Sequence, residues 1–129
     1  MSEPDDTRSL RILLVENHED TLRWLTLYLE DLGHKVVSTR TLAEAHAALV
    51  SDRCEVLISD IGLPDGTGWE LLERARPPRP IFAIAMSGFG MNADNGRSRA
   101  AGYHHHLIKP FKLDELDQLL HEAAQREAT

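Results

Sequence analysis

Short, unbroken apolar runs alternate with amphipathic stretches along this chain, and that alternation constrains the fold more than any other feature. Residues 10–15 (LRILLV), 55–59 (EVLIS) and 81–86 (IFAIAM) are too short for helices. They carry apolar groups at neighbouring positions, as strands buried on both faces require. Lys35–Thr39 reads as a weaker strand, and residues 103–108 as a fifth. Between them lie helical patterns. Leu22, Leu25, Leu29 and Leu32 recur at helical spacing, and Gly33 offers a stop. Thr41 with Glu44 reads as a capping box, ahead of an apolar stripe of Leu42, Ala45 and Leu49.

Residues 66–76 read as a third helix with Trp69, Leu72 and Ala75 on one side, ended by Pro77, Pro78 and Pro80. Residues 92–101 are assigned a fourth helix, although Asn92, Asp94, Asn95 and Gly96 all have low helix propensity. Leu113, Leu116, Leu119 and Leu120 define a last amphipathic helix, with fraying expected from Gln125. Five βα units in succession need right-handed crossovers, which place helices on both faces of a parallel sheet. The expected fold is α/β: a flavodoxin-like, doubly wound sheet of order 2-1-3-4-5 in a single domain. That domain is expected over residues 10–124, with a flexible segment at 1–9 and a tail at 125–129.

Length and charge narrow the function. The 129 residues suit one domain with one real core. No apolar run approaches the ~20 residues of a membrane span, and the acidic start of the chain is unlike a secretory signal. The net charge of −7 argues against a dominant basic nucleic-acid surface. Cys54 is the single cysteine, so no internal disulfide forms, which fits a reducing cytosol. The expectation is a cytoplasmic protein with neither nucleic acid nor membrane as a direct partner.

The polar residues at the carboxyl ends of the strands should converge on one sheet edge, where open α/β folds gather their chemistry. Strand one ends in Glu16-Asn17, strand three in Asp60, strand four in Ser87 and strand five in Lys109-Pro110. Two carboxylates and an amide form an oxygen-rich pocket suited to Mg²⁺ rather than zinc. A hydroxyl and an ammonium suit an anion with several oxygens. Together these are the parts of a phosphoryl-transfer site, in which a carboxylate can itself become an aspartyl phosphate.

Four segments sharpen this: Leu14-Val15-Glu16-Asn17, Ser59-Asp60-Ile61-Gly62-Leu63-Pro64-Asp65-Gly66, Met86-Ser87-Gly88 and Ile108-Lys109-Pro110-Phe111. In that order and spacing the chain resembles the receiver domain of a two-component response regulator. The resemblance implies that Asp60 accepts a phosphoryl group from a histidine kinase or a histidine phosphotransfer domain. It implies Mg²⁺ held by Glu16, Asn17, Asp60 and the backbone carbonyl of Gly62. Ser87 and Lys109 would contact phosphoryl oxygens, and Ser87 would move on activation. Lys109-Pro110 would be a cis peptide, and the small Gly88 would leave access to Asp60. The output would be an altered surface of fourth helix, fifth strand and fifth helix, for a downstream protein or a homodimer. Turnover of an external substrate, as in an ordinary enzyme, is not expected, because the nucleophile is the protein's own switch residue. The motif style also resembles receivers attached to hybrid histidine kinases.

Two positions depart from the pattern. Asn17 stands where the family usually carries a metal-ligating Asp, so weaker Mg²⁺ binding is expected. His106 stands where many relatives have Tyr or Phe as a switch coupled to the Ser or Thr. An imidazole can also swing and it titrates near neutral pH, but a partly exposed strand histidine without a switching role is an equal reading. The fourth helix is expected to be mobile and to order or repack on activation. The rival to the whole reading is a pseudo-receiver, a phosphorylation-independent interaction module; a second is a flavodoxin-like nucleotide binder, disfavoured because no phosphate-cradling loop is present.

Other features have plainer readings. His104, His105 and His106 alternate across a strand, so they cannot all converge on a metal. Trp24 and Tyr28, four apart on the first helix, read either as a small exposed aromatic patch or, the preferred reading, as core; Cys54 is expected to be inert, and Arg97 and Arg99 are expected to be solvated charge.

Overall fold

The computed structural model describes residues 8–51, 53–77, 79–88 and 95–127. The elements run β1 (Arg11–Val15), α1 (Glu19–Asp31), β2 (Lys35–Thr39), α2 (Leu42–Ser51) and β3 (Val56–Asp60). Two very short strands follow, β4 (Gly62–Leu63) and β5 (Gly66–Thr67), paired antiparallel. Then come α3 (Gly68–Ala75), β6 (Phe82–Gly88), α4 (Asn95–Ala101), β7 (His105–Lys109) and α5 (Leu113–Glu127). The main sheet has order β2-β1-β3-β6-β7 with every pairing parallel. With the small β4–β5 ribbon set aside, this is the doubly wound order expected from the sequence.

Strand alternation divides the core between the two faces. Ile12, Leu14, Ile58, Ile84 and Met86 pack on one face with Leu25 and Leu29 of α1 and Leu116 and Leu120 of α5. Leu13, Val15, Leu57, Ala83 and Ala85 pack on the other with Leu42 and Leu49 of α2 and Leu71 and Leu72 of α3. Both faces of the central strands are therefore dry. Among the described residues no helix is long and apolar enough to cross a membrane.

Several boundaries differ from the sequence expectation. α3 begins at Gly68, not at residue 66, because Thr67 and Glu70 form a capping box. The Glu70 N–H is bound by Thr67 Oγ1 at 3.1 Å, and Glu70 Oε1 accepts from the Thr67 N–H at 2.9 Å. Thr41 does cap α2, accepting from the Glu44 N–H at 3.1 Å, but Glu44 reaches the N–H of Arg40 instead of that of Thr41. Asp65 completes this cap from a distant loop, accepting from the N–H groups of Leu42 (2.7 Å) and Ala43 (3.0 Å). The last strand is shifted to His105–Lys109, and α5 runs to Glu127. At the other end, Arg8 pairs with Glu55 at 3.1 Å and donates to the Ala124 carbonyl; residues 1–7 lie outside the described residues. The first residues assigned to the fourth helix, Asn92 to Asp94, lie outside the described residues.

Candidate functional site

Parallel register delivers the chemistry-bearing residues to one edge. Val15 pairs with Ser59, Asp60 with Met86 and Gly88 with Lys109, so Glu16, Asp60, Ser87 and Lys109 occupy adjacent strand ends. Lys109 Nζ donates to Glu16 Oε1 at 2.5 Å and to Asp60 Oδ2 at 3.1 Å. Glu16 is 1% exposed, and its second oxygen accepts from the His18 N–H at 2.9 Å. A fully buried carboxylate thus faces a second, partly buried one, with a single ammonium between them.

The electrostatics follow from that crowding. Burial pushes the Asp60 carboxyl up to about 6; the charge of Glu16 pushes the same way, and Lys109 opposes both. Burial also pulls the Lys109 ammonium down, but its hydrogen bond with Glu16 and the two negative charges outweigh this, leaving it above the ordinary lysine value. The pocket therefore holds a charged lysine and more negative charge than that lysine neutralises.

The backbone around Asp60 is held from several sides. Ser59 Oγ donates to the Asp60 carbonyl at 2.9 Å, the Ile61 N–H donates to the Met86 carbonyl at 2.8 Å, and the Gly68 N–H donates to the Ile61 carbonyl at 2.9 Å. The buried Tyr103 hydroxyl donates to the Gly68 carbonyl at 2.6 Å. A Cβ on Gly68 would stand 2.5 Å from the Asp60 carbonyl oxygen, so only glycine permits α3 to start this close to β3.

Glu16, Asp60 and Lys109 are thus in direct contact. Ser87 is 1% exposed, and its hydroxyl lies 2.8 Å from His106 Nε2. His106 Nδ1 lies 2.8 Å from Ser98 Oγ, which accepts from Trp69 Nε1 at 2.9 Å. The Lys109-Pro110 peptide is cis. Gly62 opens β4 and pairs with Thr67. Asn17 is exposed and is tied in through its backbone, its carbonyl accepting from Arg40 at 3.4 Å. The structure does not draw its side chain into the Glu16–Asp60–Lys109 cluster.

The three histidines do go separate ways. His104 stacks on Phe82 and accepts the Ala83 N–H at 3.0 Å through Nδ1. His105 meets Glu122 at 3.1 Å. His106 is half-buried and bridges two serines. Two other readings are corrected. Trp24 is 46% exposed, because α1 turns Leu25 and Leu29 inward instead. Arg97 is not merely solvated: it pairs with Glu73 at 2.6 and 3.1 Å and lies over the Trp69 ring. Tyr28 is half-buried and donates to Asp117 at 2.6 Å.

Sequence reasoning missed Gly68, Ser98 and the polar role of Trp69. The Thr67-Gly68 pair followed by Glu70 was a signal for the first, as a cap placed against a close backbone contact. Ser98 sits in a segment whose composition carries no periodicity.

A doubly wound sheet with an acid pair and a lysine at its carboxyl edge defines the class of signalling domain that the four motifs imply, and comparison with known proteins agrees. Residues 12–121 match the family model described as response regulator receiver domain. The chain belongs to that family, and so to the receiver domains of two-component systems. It is 35% identical over 128 residues to the virulence sensor protein BvgS of Bordetella bronchiseptica, covering 93% of this chain and 10% of that one. It is 30% identical over 115 residues to the KDP operon transcriptional regulatory protein KdpE of Escherichia coli, covering 89% of this chain and 51% of that one. The chain thus spans between a tenth and about half of these curated relatives. Among solved structures, it is similar to a CheY-like response regulator receiver domain from Methanospirillum hungatei, with 28% identity and a TM-score of 0.80 over 92% of this chain and 98% of that one. It is also similar to the non-phosphorylated HemR receiver domain of Leptospira biflexa, with 26% identity and a TM-score of 0.79 over 90% and 94%.

Proposed function

We propose that this domain accepts a phosphoryl group on Asp60 from the phosphohistidine of a histidine kinase or histidine phosphotransfer domain. The observation that carries the reading is Lys109 Nζ, 3.1 Å from Asp60 Oδ2 and also bound to Glu16. In the transfer, an Asp60 carboxylate oxygen forms the new bond to phosphorus. The bond from phosphorus to the donor's ring nitrogen breaks, and its electron pair stays on that imidazole. Lys109 is placed to neutralise a phosphoryl oxygen, and such positioning and charge neutralisation supply most of the catalysis in this chemistry. Ser87 offers a hydroxyl to another phosphoryl oxygen. The protein modifies itself and turns over no other substrate.

The donor set fits Mg²⁺. Glu16, Asp60, the Asn17 amide and the Gly62 carbonyl are all oxygen donors, the kind a hard cation takes. Burial, with the charge of Glu16 acting the same way, raises the Asp60 pKa despite Lys109, and a divalent cation would favour the charged carboxylate. When bound, Mg²⁺ would neutralise charge on the phosphoryl oxygens. The exposed Asn17 supplies no charge, so affinity rests on Glu16 and Asp60. The downstream readout is proposed to be a changed surface of α4, β7 and α5, taken up by a partner protein or a second copy.

Intact mass after incubation with acetyl phosphate tests this. One phosphoryl adduct that requires Mg²⁺ and disappears in Asp60→Asn is expected. No adduct, followed by no response to beryllofluoride, would favour the phosphorylation-independent interaction module instead.

A further inference from the structure

We propose that Asp65 is a positioning residue for the Mg²⁺ site: its bridge to the first turn of α2 fixes the β4–β5 ribbon, and with it the Gly62 carbonyl. The proposal rests on the reading that Gly62 supplies a metal oxygen, and it names what holds that oxygen in place.

The ribbon is poorly built to hold itself. Each of its strands has two residues, and a hairpin that short is not stable alone. Leu63 pairs with Gly66, so Pro64 and Asp65 make the whole turn. Two-residue hairpin turns that follow the twist of their strands need a positive φ at the first central residue. Pro64 cannot supply it, because its ring fixes φ at about −65°. Among the described residues Arg76 is the only non-glycine with a positive φ, so Asp65 does not supply one either. The turn therefore works against the ribbon that it closes.

The hold comes from outside. Asp65 Oδ1 accepts from the Leu42 N–H at 2.7 Å, and Oδ2 accepts from the Ala43 N–H at 3.0 Å. Both N–H groups lie in the first turn of α2, where a helix leaves its donors without internal partners. A carboxylate there also meets the positive end of the helix dipole. The neighbouring Gly66 is pressed against the same turn. A Cβ on it would stand 2.5 Å from Leu42 Cδ2, and Leu42 is itself buried in the core.

Gly62 lies between two fixed points. On one side the Ile61 N–H is bound to the Met86 carbonyl at 2.8 Å, which ties the end of β3 to β6. On the other side is the Asp65 bridge. Without that bridge the tip of the ribbon is released, and the direction of the Gly62 carbonyl is no longer set in advance. Groups that orient metal ligands from outside typically change affinity by about 10–100-fold when removed. Asp65 acts through three residues of backbone, so the lower end of that range applies.

The test is a Mg²⁺ titration of the labelled full chain followed by backbone amide shifts, with Thr41→Ala as the matched control. Thr41 caps the same helix, accepting from the Glu44 N–H at 3.1 Å, and among the described residues it makes no hydrogen bond to the ribbon. Asp65→Ala should raise the Mg²⁺ Kd about tenfold and move the Gly62 amide resonance. Thr41→Ala should lower the urea midpoint comparably and leave the Kd unchanged. Asp65→Asn keeps one of the two acceptor oxygens and should fall between, and it answers the question if Asp65→Ala does not fold. At about 0.5 M salt the long-range effect of the lost charge is screened, and the ratio of Kd values should persist. An unchanged Kd in the Asp65 variants, an equal loss in Thr41→Ala, or a ratio that vanishes in salt would overturn the proposal. A parent chain whose Glu16 and Asp60 amides ignore Mg²⁺ would overturn the metal reading first, and this proposal with it.

Discussion

The position a side chain would take on Gly68 lies 2.5 Å from the carbonyl oxygen of Asp60. The obstacle is backbone, which cannot rotate aside. Gly68→Ala should therefore displace either the start of α3 or the end of β3, at a cost of about 1–3 kcal/mol. A lower urea midpoint with an unchanged slope, and slower modification by acetyl phosphate, are the expected outcomes. A variant as stable and as reactive as the parent would show that the two segments have room to separate.

Lys109→Met removes the ammonium between two carboxylates. Leaving buried charge uncompensated costs about 3 kcal/mol or more, so a clear loss of stability is expected at neutral pH without Mg²⁺. The pH dependence carries the diagnosis. Asp60 is raised from 3.8 to about 6 in the folded protein, so the folded state binds more protons and stability falls as pH rises through that window. Without Lys109 the decline should continue to higher pH. Denaturation curves that remain parallel for the two proteins across this range would contradict the assigned role.

Asn17→Asp should tighten Mg²⁺ binding. A unit charge pair at about 4 Å is worth about 4 kcal/mol at an effective dielectric near 20. Desolvation of the new carboxylate cancels much of that, leaving an expected gain of about tenfold in affinity. Titration followed by tryptophan fluorescence measures it, and equal affinities would remove Asn17 from the metal site.

His34 and His104 should act on stability in the opposite sense from Asp60. Burial is the main cause that lowers both. Each accepts a backbone N–H through Nδ1, His34 from Leu10 at 3.1 Å and His104 from Ala83 at 3.0 Å. A protonated ring cannot accept there. The unfolded chain takes these protons first, so stability should fall as pH drops through 6.5 toward the lowered folded values. Replacing both by Asn should flatten that dependence in urea titrations; an unchanged slope would place it on other groups.

What the sequence disclosed followed from the length scale of each signal. Sheet order was legible because β1, β3 and β6 are unbroken apolar runs that only a two-faced core explains. The Glu16–Asp60–Lys109 cluster was legible because parallel strands bring their carboxyl ends to one edge whatever the helices do. The β4–β5 ribbon was not, since two residues per strand leave no periodicity, and without it the start of α3 was set too early. Trp24 was assigned inward by residue type, while its helix buries Leu25 and Leu29. His106 drew notice through its place before Lys109, but its partner Ser98 lies on α4, where Asn95, Gly96 and Arg97 give no apolar stripe. Contacts between a side chain and a distant hydroxyl, like the approach of Gly68 to a carbonyl, leave no pattern in one dimension.

The most direct test of the phosphoacceptor assignment is chemical mapping of the modified residue. After phosphorylation in Mg²⁺, borohydride reduces an aspartyl phosphate to homoserine, and peptide mass spectrometry locates it. Homoserine at position 60 alone, absent when Mg²⁺ is chelated or when Lys109 is replaced, is the expected result. Homoserine elsewhere, or none in a sample whose intact mass shows the phosphoryl group, would contradict the assignment of Asp60.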